Sequence, residues 1–503
     1  MKRTVGILTV ITGMEYGINF LRSILIAALF GVSVYTEAFF LVYPLIMTVV
    51  LIAASAVKTT VIPVFLQIRE RTGEDSAWRF AGDLFVLIFL GSLCACAVAV
   101  LCAPWVIERL IGTYPPHVQQ SAVKYLRGLS TIVLFLGAGS LLSGLLQARR
   151  DFILPAVSTL TGSAVLILLI VFFHRRAGLD VLMYAFIAQA GVSFLIQFAR
   201  MRSLGRFRLS WPVRCDDRLR RVFRLMIPLV VTLAVTQCAR MVEAYLASRE
   251  FIGSISTINY ARMLSEIPSR VFYAVLVTVF FPVFSEQMAQ LRLAEARVAV
   301  VRLFRIILLC GIPATVLCYV CALPIVELVF QRGAFSAADT LRTAQVFSFF
   351  SFSIIAVLLA SLLVHVYCAL LDTRTLALIT TAAMGMNILF DFMLVRVFSY
   401  SGLAIGYTLA VTLNCVVLSA VLLRKVRELD FRPALGVLPK LLVASGVMWG
   451  VSYLVFRHCR IHFVFASAAG IISYAVALRL VGVEEAEVLF SRIGSYVRYL
   501  RDR

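Results

Sequence analysis

Long apolar runs recur from one end of the chain to the other, and they constrain the fold more than any other feature. Most of them reach about 20 residues, the length an α-helix needs to cross the hydrocarbon core of a bilayer. The chain of 503 residues holds about fourteen such runs, joined mainly by short connections. An outer-membrane barrel would instead show short segments of alternating polarity. The runs predict an all-α polytopic membrane protein with about 14 transmembrane helices.

The composition excludes the soluble classes of protein. Apolar residues make up 61% of the chain and charged residues 15%, against about 45–50% and about 25% in soluble domains. The sequence has no Walker A loop, no Gly-x-Ser-x-Gly and no His-Glu-x-x-His motif. We therefore expect a carrier and not an enzyme, with no cofactor other than a coupling ion of unknown identity.

The net charge of +21 is concentrated in alternate loops. Lys and Arg mark the cytoplasmic loops of membrane proteins, and they also attract anionic headgroups. The richest loop follows the sixth run and carries Arg200, Arg202, Arg206, Arg208, Arg214, Arg218, Arg220 and Arg221. We expect both termini to be cytoplasmic and anionic membrane lipids to be partners. No stretch is long enough for a basic nucleic-acid-binding module.

A weak internal repeat runs through the sequence at an offset of about 221 residues. The matched pairs are Gly31 with Gly253, Pro104 with Pro324, Ser130 with Ser351, and Asp151 with Asp372. They predict two pseudo-symmetric six-helix lobes, residues 1–221 and 222–432, followed by a two-helix segment with a basic tail, residues 433–503. Parallel repeats of this kind occur in transporters, which bind substrate between the lobes near the membrane midplane.

Charged and polar side chains inside the spans form the candidate site, because holding charge in a span is costly and marks function. They are Glu15, Asn19 and Arg22 in span one (5–30) and Asn259, Arg262, Glu266 and Arg270 in span eight (253–284). In each span the spacing puts all members on one helix face. Arginine suits a diphosphate because its planar fork binds oxygens bidentately and stays ionised. The alternative is a structural network of ion pairs.

Four further residues join the candidate site. They are Glu37 and Lys58 near the ends of span two (35–62), and Arg240 and Glu243 in span seven (222–247). Lys58 and Arg240 would add to the positive field, whereas the acidic residues would orient the arginines or couple an ion. The structural alternatives are snorkelling of Glu37 and Lys58 and an Arg240–Glu243 pair within the helix.

Three segments carry a resemblance to a known family. Residues 328–340 (LVFQRGAFSAADT) resemble a signature of the MurJ/MviN family of lipid II flippases, which belongs to the MOP superfamily. Residues 30–40 (FGVSVYTEAFF) and 260–269 (YARMLSEIPS) are similar to two further segments of that family. The resemblance covers the whole chain.

The resemblance implies a V-shaped bundle with a cationic central cavity. It also implies a monomer in the bacterial cytoplasmic membrane that moves a polyprenyl-diphosphate-linked saccharide, most simply lipid II, to the outer leaflet by alternating access. Arg22, Glu37 and Glu266 fall on charged residues of the family. Spans 13 and 14 would form an apolar groove for the lipid tail.

Departures from the family pattern leave alternatives open. Tyr16 and Met263 stand where the family has arginines, and residues 49–58 (VVLIAASAVK) replace an arginine-containing stretch. Arg262 lies one residue before the family position, and such a shift turns a side chain by about 100° around the helix. A flippase for exopolysaccharide or O-antigen repeat units is one alternative, and a cation-coupled multidrug exporter is another. A glycan ligase or polymerase would need larger outward loops.

Overall fold

The computed structural model describes residues 2–112, 114–149, 151–204, 234–275, 293–370, 372–426, 430–459 and 463–482. Side chains at 2–5, 9, 51–63, 273–275, 293–294, 296, 456–459 and 463–464 lie outside this description. The described residues form helices and short connections without strands, which confirms the predicted all-α class. Among them, nine helices are long and apolar enough to cross a membrane, or ten if one bent pair is a single span. The count of about 14 stays a prediction.

Two compact units divide the chain. The first is Met1–Ser256 with Arg332–Ser336. Its helices are α1 (Lys2–Phe30), α2 (Val34–Thr72), α3 (Glu74–Ile111), α4 (Pro116–Leu129), α5 (Ile132–Ala148), α6 (Ile153–Ala177), α7 (Asp180–Ser203) and α8 (234–247).

The second unit is Thr257–Gln331 with Ala337–Arg503. It contains most of α9 (Ser254–Val275). It also contains α10 (Leu293–Val320), α11 (Ala322–Phe330), α12 (Ala337–Ser351), α13 (Ser353–Ala369), α14 (Thr373–Phe398), α15 (Ser401–Lys425), α16 (Arg432–Leu435), α17 (Leu438–Cys459) and α18 (Phe463–Leu480). The predicted lobe boundary between residues 221 and 222 lies outside the described residues, so the three-part division stays a prediction.

Two of the predicted spans, residues 122–147 and 343–370, are each broken into two helices. In the first, α4 ends at Leu129 and α5 starts at Ile132; in the second, α12 and α13 meet at a bend of 43°. Ser130 and Ser351, one of the matched pairs of the repeat, lie at these two breaks. Each donates its hydroxyl hydrogen to the carbonyl three residues earlier, at 2.6 Å in both cases. Such a local hydrogen bond competes with the helical pattern and favours a bend.

The matched pair Asp151 and Asp372 also has a shared local geometry. Each accepts a hydrogen bond from the backbone N–H three residues later, at 3.3 Å. Each also pairs with a basic side chain near the end of the second helix after it, Arg200 of α7 at 3.8 Å and Lys425 of α15 respectively. The hydrogen bond from Lys425 holds the pKa of the Asp372 carboxyl below its ordinary value.

Apolar packing and buried phenols hold each unit together. In the first unit Phe65 packs edge-on against Trp78, with ring centroids 5.3 Å apart, and the Arg149 guanidinium lies over Trp78. In the second unit the Tyr367 hydroxyl donates to the Leu418 carbonyl, which ties α13 to α15. The C-terminal helices join the same core, because the Tyr474 hydroxyl of α18 donates to a carbonyl of α10 at 2.7 Å.

Candidate functional site

An aromatic ring supports the span-one arginine. The Arg22 guanidinium lies over the ring of Phe186 in α7, 5.1 Å from its centroid. Phe186 is held in turn by Tyr43 and Phe39 of α2, at centroid distances of 4.6 and 5.5 Å. A cation over an aromatic face is attracted by the ring quadrupole, most strongly where water is scarce. Three helices therefore fix this positive charge within the first unit.

The other two members of the span-one stripe are partly buried. Glu15 and Asn19 lie on α1 two turns and one turn before Arg22. The Asn19 carbonyl accepts a hydrogen bond from the Ser23 hydroxyl at 3.1 Å. The side chains of Glu15, Asn19 and Arg22 are therefore all partly buried on one helix, as their spacing predicts.

The span-eight arginine is supported in the same way within the second unit. The Arg262 guanidinium lies 4.8 Å from the ring centroids of both Phe350 in α12 and Tyr407 in α15. The two rings meet edge to face, with centroids 5.7 Å apart. Arg262 is one position earlier than the arginine of the family pattern, and at this position it has two aromatic partners.

Glu266 and Arg270 form an ion pair one helical turn apart. The distance from Arg270 Nη2 to Glu266 Oε2 is 2.5 Å. The Arg270 side chain is 53% exposed and the Glu266 side chain 34%. This contact matches the role predicted for Glu266, the orientation of an arginine. The same contact is the ion pair that the structural alternative predicts.

Glu37 is buried and bound to backbone. Its side chain is 1% exposed, and its carboxylate accepts hydrogen bonds from the N–H groups of Gly253 and Ile255, the latter at 3.1 Å. The Ser254 hydroxyl lies 3.5 Å from the same carboxylate. This burial argues against the snorkelling alternative. Glu37 ties the start of α2 to the joint between α8 and α9, within the first unit.

Tyr114, in the connection after α3, lies beside the Glu37 carboxylate. Burial, together with this negative charge, raises the pKa of the Tyr114 phenol. The phenol therefore remains neutral at physiological pH. It adds a third chain segment to the surroundings of Glu37.

The remaining predicted site residues are Arg240, Glu243 and Lys58. Arg240 is exposed and Glu243 is partly buried, both on α8. The same helix is linked to α2 by a hydrogen bond of 3.0 Å from Thr48 to Gln237. The Lys58 side chain lies outside the described residues. Sequence reasoning missed the aromatic partners of both arginines, because single aromatic residues do not stand out in apolar spans.

No group of three or more His, Cys, Asp or Glu side chains that could hold a metal ion occurs in the part of the chain that the structure describes.

The family model and the curated relatives agree on one family. The model of the family "Lipid II flippase MurJ" matches residues 26–472. The lipid II flippase MurJ of Burkholderia cenocepacia is 23% identical over 406 residues, which are 79% of each chain.

Two solved structures share the fold. A lipid II flippase MurJ in an inward closed conformation superposes with a TM-score of 0.80 at 19% identity, covering 94% of this chain and 98% of that one. An inward-facing multidrug resistance MATE transporter of the MOP superfamily superposes with a TM-score of 0.68 at 14% identity, covering 81% and 95%. The resemblance of residues 328–340 is thereby confirmed, and the chain belongs to the MurJ family of lipid II flippases.

Proposed function

We propose that this protein translocates lipid II, a saccharide linked to a polyprenyl diphosphate, across the bacterial inner membrane by alternating access. The family match over residues 26–472 supports the substrate class. The observation that carries the chemistry is an arginine on an aromatic face in each of the two units, Arg22 on Phe186 and Arg262 on Phe350 and Tyr407.

The diphosphate is the part of the substrate that is most costly to move across the membrane without the protein. Its negative charge is strongly hydrated, so moving it through an apolar medium is unfavourable without compensating positive charge. Guanidinium groups supply that charge and bind phosphate oxygens through two N–H donors at once. The aromatic faces under Arg22 and Arg262 hold the cations in place before substrate arrives, which lowers the cost of ordering them.

The acidic residues take supporting roles in this proposal. Glu266 orients Arg270, with which it pairs at 2.5 Å. Glu15 and Asn19 lie on the same face of α1 as Arg22. Lys58, Arg240 and Glu243 contribute to the electric field around the substrate or respond to a coupling ion. The cationic loop 200–221 supports cytoplasmic termini, and the apolar C-terminal helices would take the lipid tail. The protein would work as a monomer in contact with anionic lipids.

The other candidate functions have less support. The MATE structure shares the fold alone, and the two arginines on aromatic faces would repel the organic cations that such a site would bind. Flippases for exopolysaccharide units are not favoured, because the family model and the named relatives are those of lipid II flippases.

An accessibility assay in spheroplasts tests the proposal. Lipid II that reaches the outer leaflet is detected with a membrane-impermeant reagent in cells that depend on this protein. Arg22→Ala and Arg262→Ala are each expected to reduce translocation at least about tenfold, since a hydrogen-bonded charge contact is worth about 1.5–3 kcal/mol. Arg176→Ala, which removes an exposed arginine at the end of α6, serves as the matched control. Undiminished transport in both site variants would contradict the assignment.

A further inference from the structure

A groove of about 790 Å³ lies in the first unit, between the end of α3 and the start of α4. Its volume is within the range of about 300–1,000 Å³ that is usual for sites of small molecules. The charged side chains of its lining are Glu108, Lys124 and Arg127. All three are exposed, so a ligand from outside can reach them. The groove therefore offers both signs of charge.

A proline in α3 explains the position of Arg127. Pro104 has no N–H, so the Val100 carbonyl four residues earlier loses its helical hydrogen bond. The Nε of Arg127 donates to this carbonyl at 3.3 Å. Among the residues that the structure describes, the rest of the guanidinium has no protein partner. Arg127 is thus held by one N–H and keeps its other donors for an anion.

The other charges of the groove nearly balance. Lys124 pairs with Asp180 at the start of α7. Glu108 has no ion-pair or hydrogen-bond partner for its carboxylate among the described residues. An anionic ligand would be attracted by Arg127 and repelled by Glu108. A zwitterionic ligand, by contrast, has a group for each of them.

The apolar and charged groups follow a definite order along α3. Leu101, Trp105 and Glu108 lie on one face of the helix because of their i, i+4, i+7 spacing. Leu101 and Trp105 are 78% and 64% exposed, on a helix long and apolar enough to cross a membrane. Glu108 lies about 12 Å beyond Val100, where Arg127 is bound, at 1.5 Å per residue. From the apolar surface outward, the guanidinium therefore comes first and the carboxylate second.

A phospholipid with an amino headgroup has the same order of groups. Its acyl chains are apolar, its phosphate follows at the membrane boundary, and its ammonium lies outermost. Tryptophan is enriched at that boundary. Side chains of a helix lean toward its N-terminus, which brings the Glu108 carboxylate back toward Arg127. The gap that remains suits a phosphate joined to a short aminoethyl chain.

We propose that the groove between α3 and α4 binds the headgroup of a bilayer aminophospholipid, phosphatidylethanolamine. Arg127 binds the phosphate through its free N–H donors, and Glu108 accepts hydrogen bonds from the ammonium. The acyl chains lie along Leu101 and Trp105. This site is distinct from the arginines proposed for the transported lipid, and it does not depend on the proposed function.

Three phospholipids with the same acyl chains test the phosphate and ammonium contacts separately. The full chain, purified in detergent and freed of lipid, is titrated with dioleoyl phosphatidylethanolamine, phosphatidylcholine or phosphatidylglycerol, and native mass spectrometry follows the first lipid bound. Phosphatidylcholine keeps the phosphate and the positive charge but has no N–H to donate, whereas phosphatidylglycerol has no cation. Glu108→Gln and Arg127→Gln each remove one partner. Arg176→Ala, which removes an exposed arginine outside the groove, is the control.

We expect the wild-type protein and Arg176→Ala to bind phosphatidylethanolamine about tenfold more tightly than the other two lipids. Glu108→Gln should abolish this preference, and Arg127→Gln should weaken the binding of all three. Without added lipid, Glu108→Gln should melt at the wild-type temperature, which shows that its fold is intact. Equal wild-type affinities, tighter binding of phosphatidylglycerol, a preference that survives in Glu108→Gln, or unchanged binding by Arg127→Gln would overturn the proposal.

Discussion

At the scale of single residues, the position of an arginine side chain among apolar helices depends on the side chains that contact its guanidinium group. Arg22 and Arg262 both lie over aromatic rings, at 5.1 Å and 4.8 Å. The ring attracts the guanidinium without neutralising it. An aromatic contact of this kind is compatible with phosphate binding by the same arginine.

Tyr407 allows this role to be measured, because it is only partly buried. Tyr407→Leu keeps an apolar side chain but removes one of the two rings at Arg262. With a cation–π contact worth about 0.5–2 kcal/mol, translocation in the spheroplast assay should fall about two- to thirtyfold. Tyr407→Phe keeps the ring and should transport normally. Equal losses in both variants would assign the role to the hydroxyl group and contradict the cation–π account.

At the scale of helices, the start of α2 is a junction. Ser33 and Thr36 form a reciprocal capping box, with hydrogen bonds of 3.2 and 2.8 Å. The next residue, Glu37, accepts hydrogen bonds from the backbone N–H groups of Gly253 and Ile255. The start of α2 is therefore fixed both by its own cap and by a segment more than 200 residues away in the sequence.

Replacing Glu37 tests this junction. Glu37→Gln puts an NH₂ group where one carboxylate oxygen accepts an N–H, and hydrogen bonds to charged groups contribute about 1.5–3 kcal/mol. We expect the purified variant to melt at a lower temperature and to transport less. Glu108→Gln, which changes an exposed carboxylate of α3, should leave the melting temperature unchanged. Identical melting curves for wild-type protein and Glu37→Gln would show that Glu37 does not hold the junction.

At the scale of the whole molecule, the first unit is discontinuous in sequence. Residues 332–336 belong to it, although the helices on either side of them belong to the second unit. The Ala334 N–H donates to the Ala28 carbonyl of α1 at 2.8 Å. Gly333 packs so closely on the same carbonyl that an added Cβ would overlap it.

Two glycines with similar positive φ angles measure this close approach. Gly333 and Gly178 have φ angles of 61° and 54°, a region in which alanine is strained at either position. An added Cβ at Gly178 meets nothing within 4 Å. Gly333→Ala should therefore lower the melting temperature clearly more than Gly178→Ala. Equal shifts would mean that residues 332–336 do not pack on α1 as described.

The sequence predicted the helical class, the family and the one-face stripes, because apolar length and helical period are local properties. It did not predict that Phe186, Phe350 and Tyr407 support the arginines. Aromatic residues are common in apolar spans, and their pairing depends on contacts between helices that are far apart in sequence. The backbone partners of Glu37, more than 200 residues away, lie beyond local patterns for the same reason.

The segment 328–340 that is most recognisable in the sequence has a consequence for how such chains are compared. Its glycine and alanine at 333 and 334 meet the backbone of α1, so this part of the motif forms a main-chain contact of the scaffold. Two transporters can share it and still carry different headgroups. Under the proposed function, differences in cargo should instead be sought among the residues around Arg22 and Arg262.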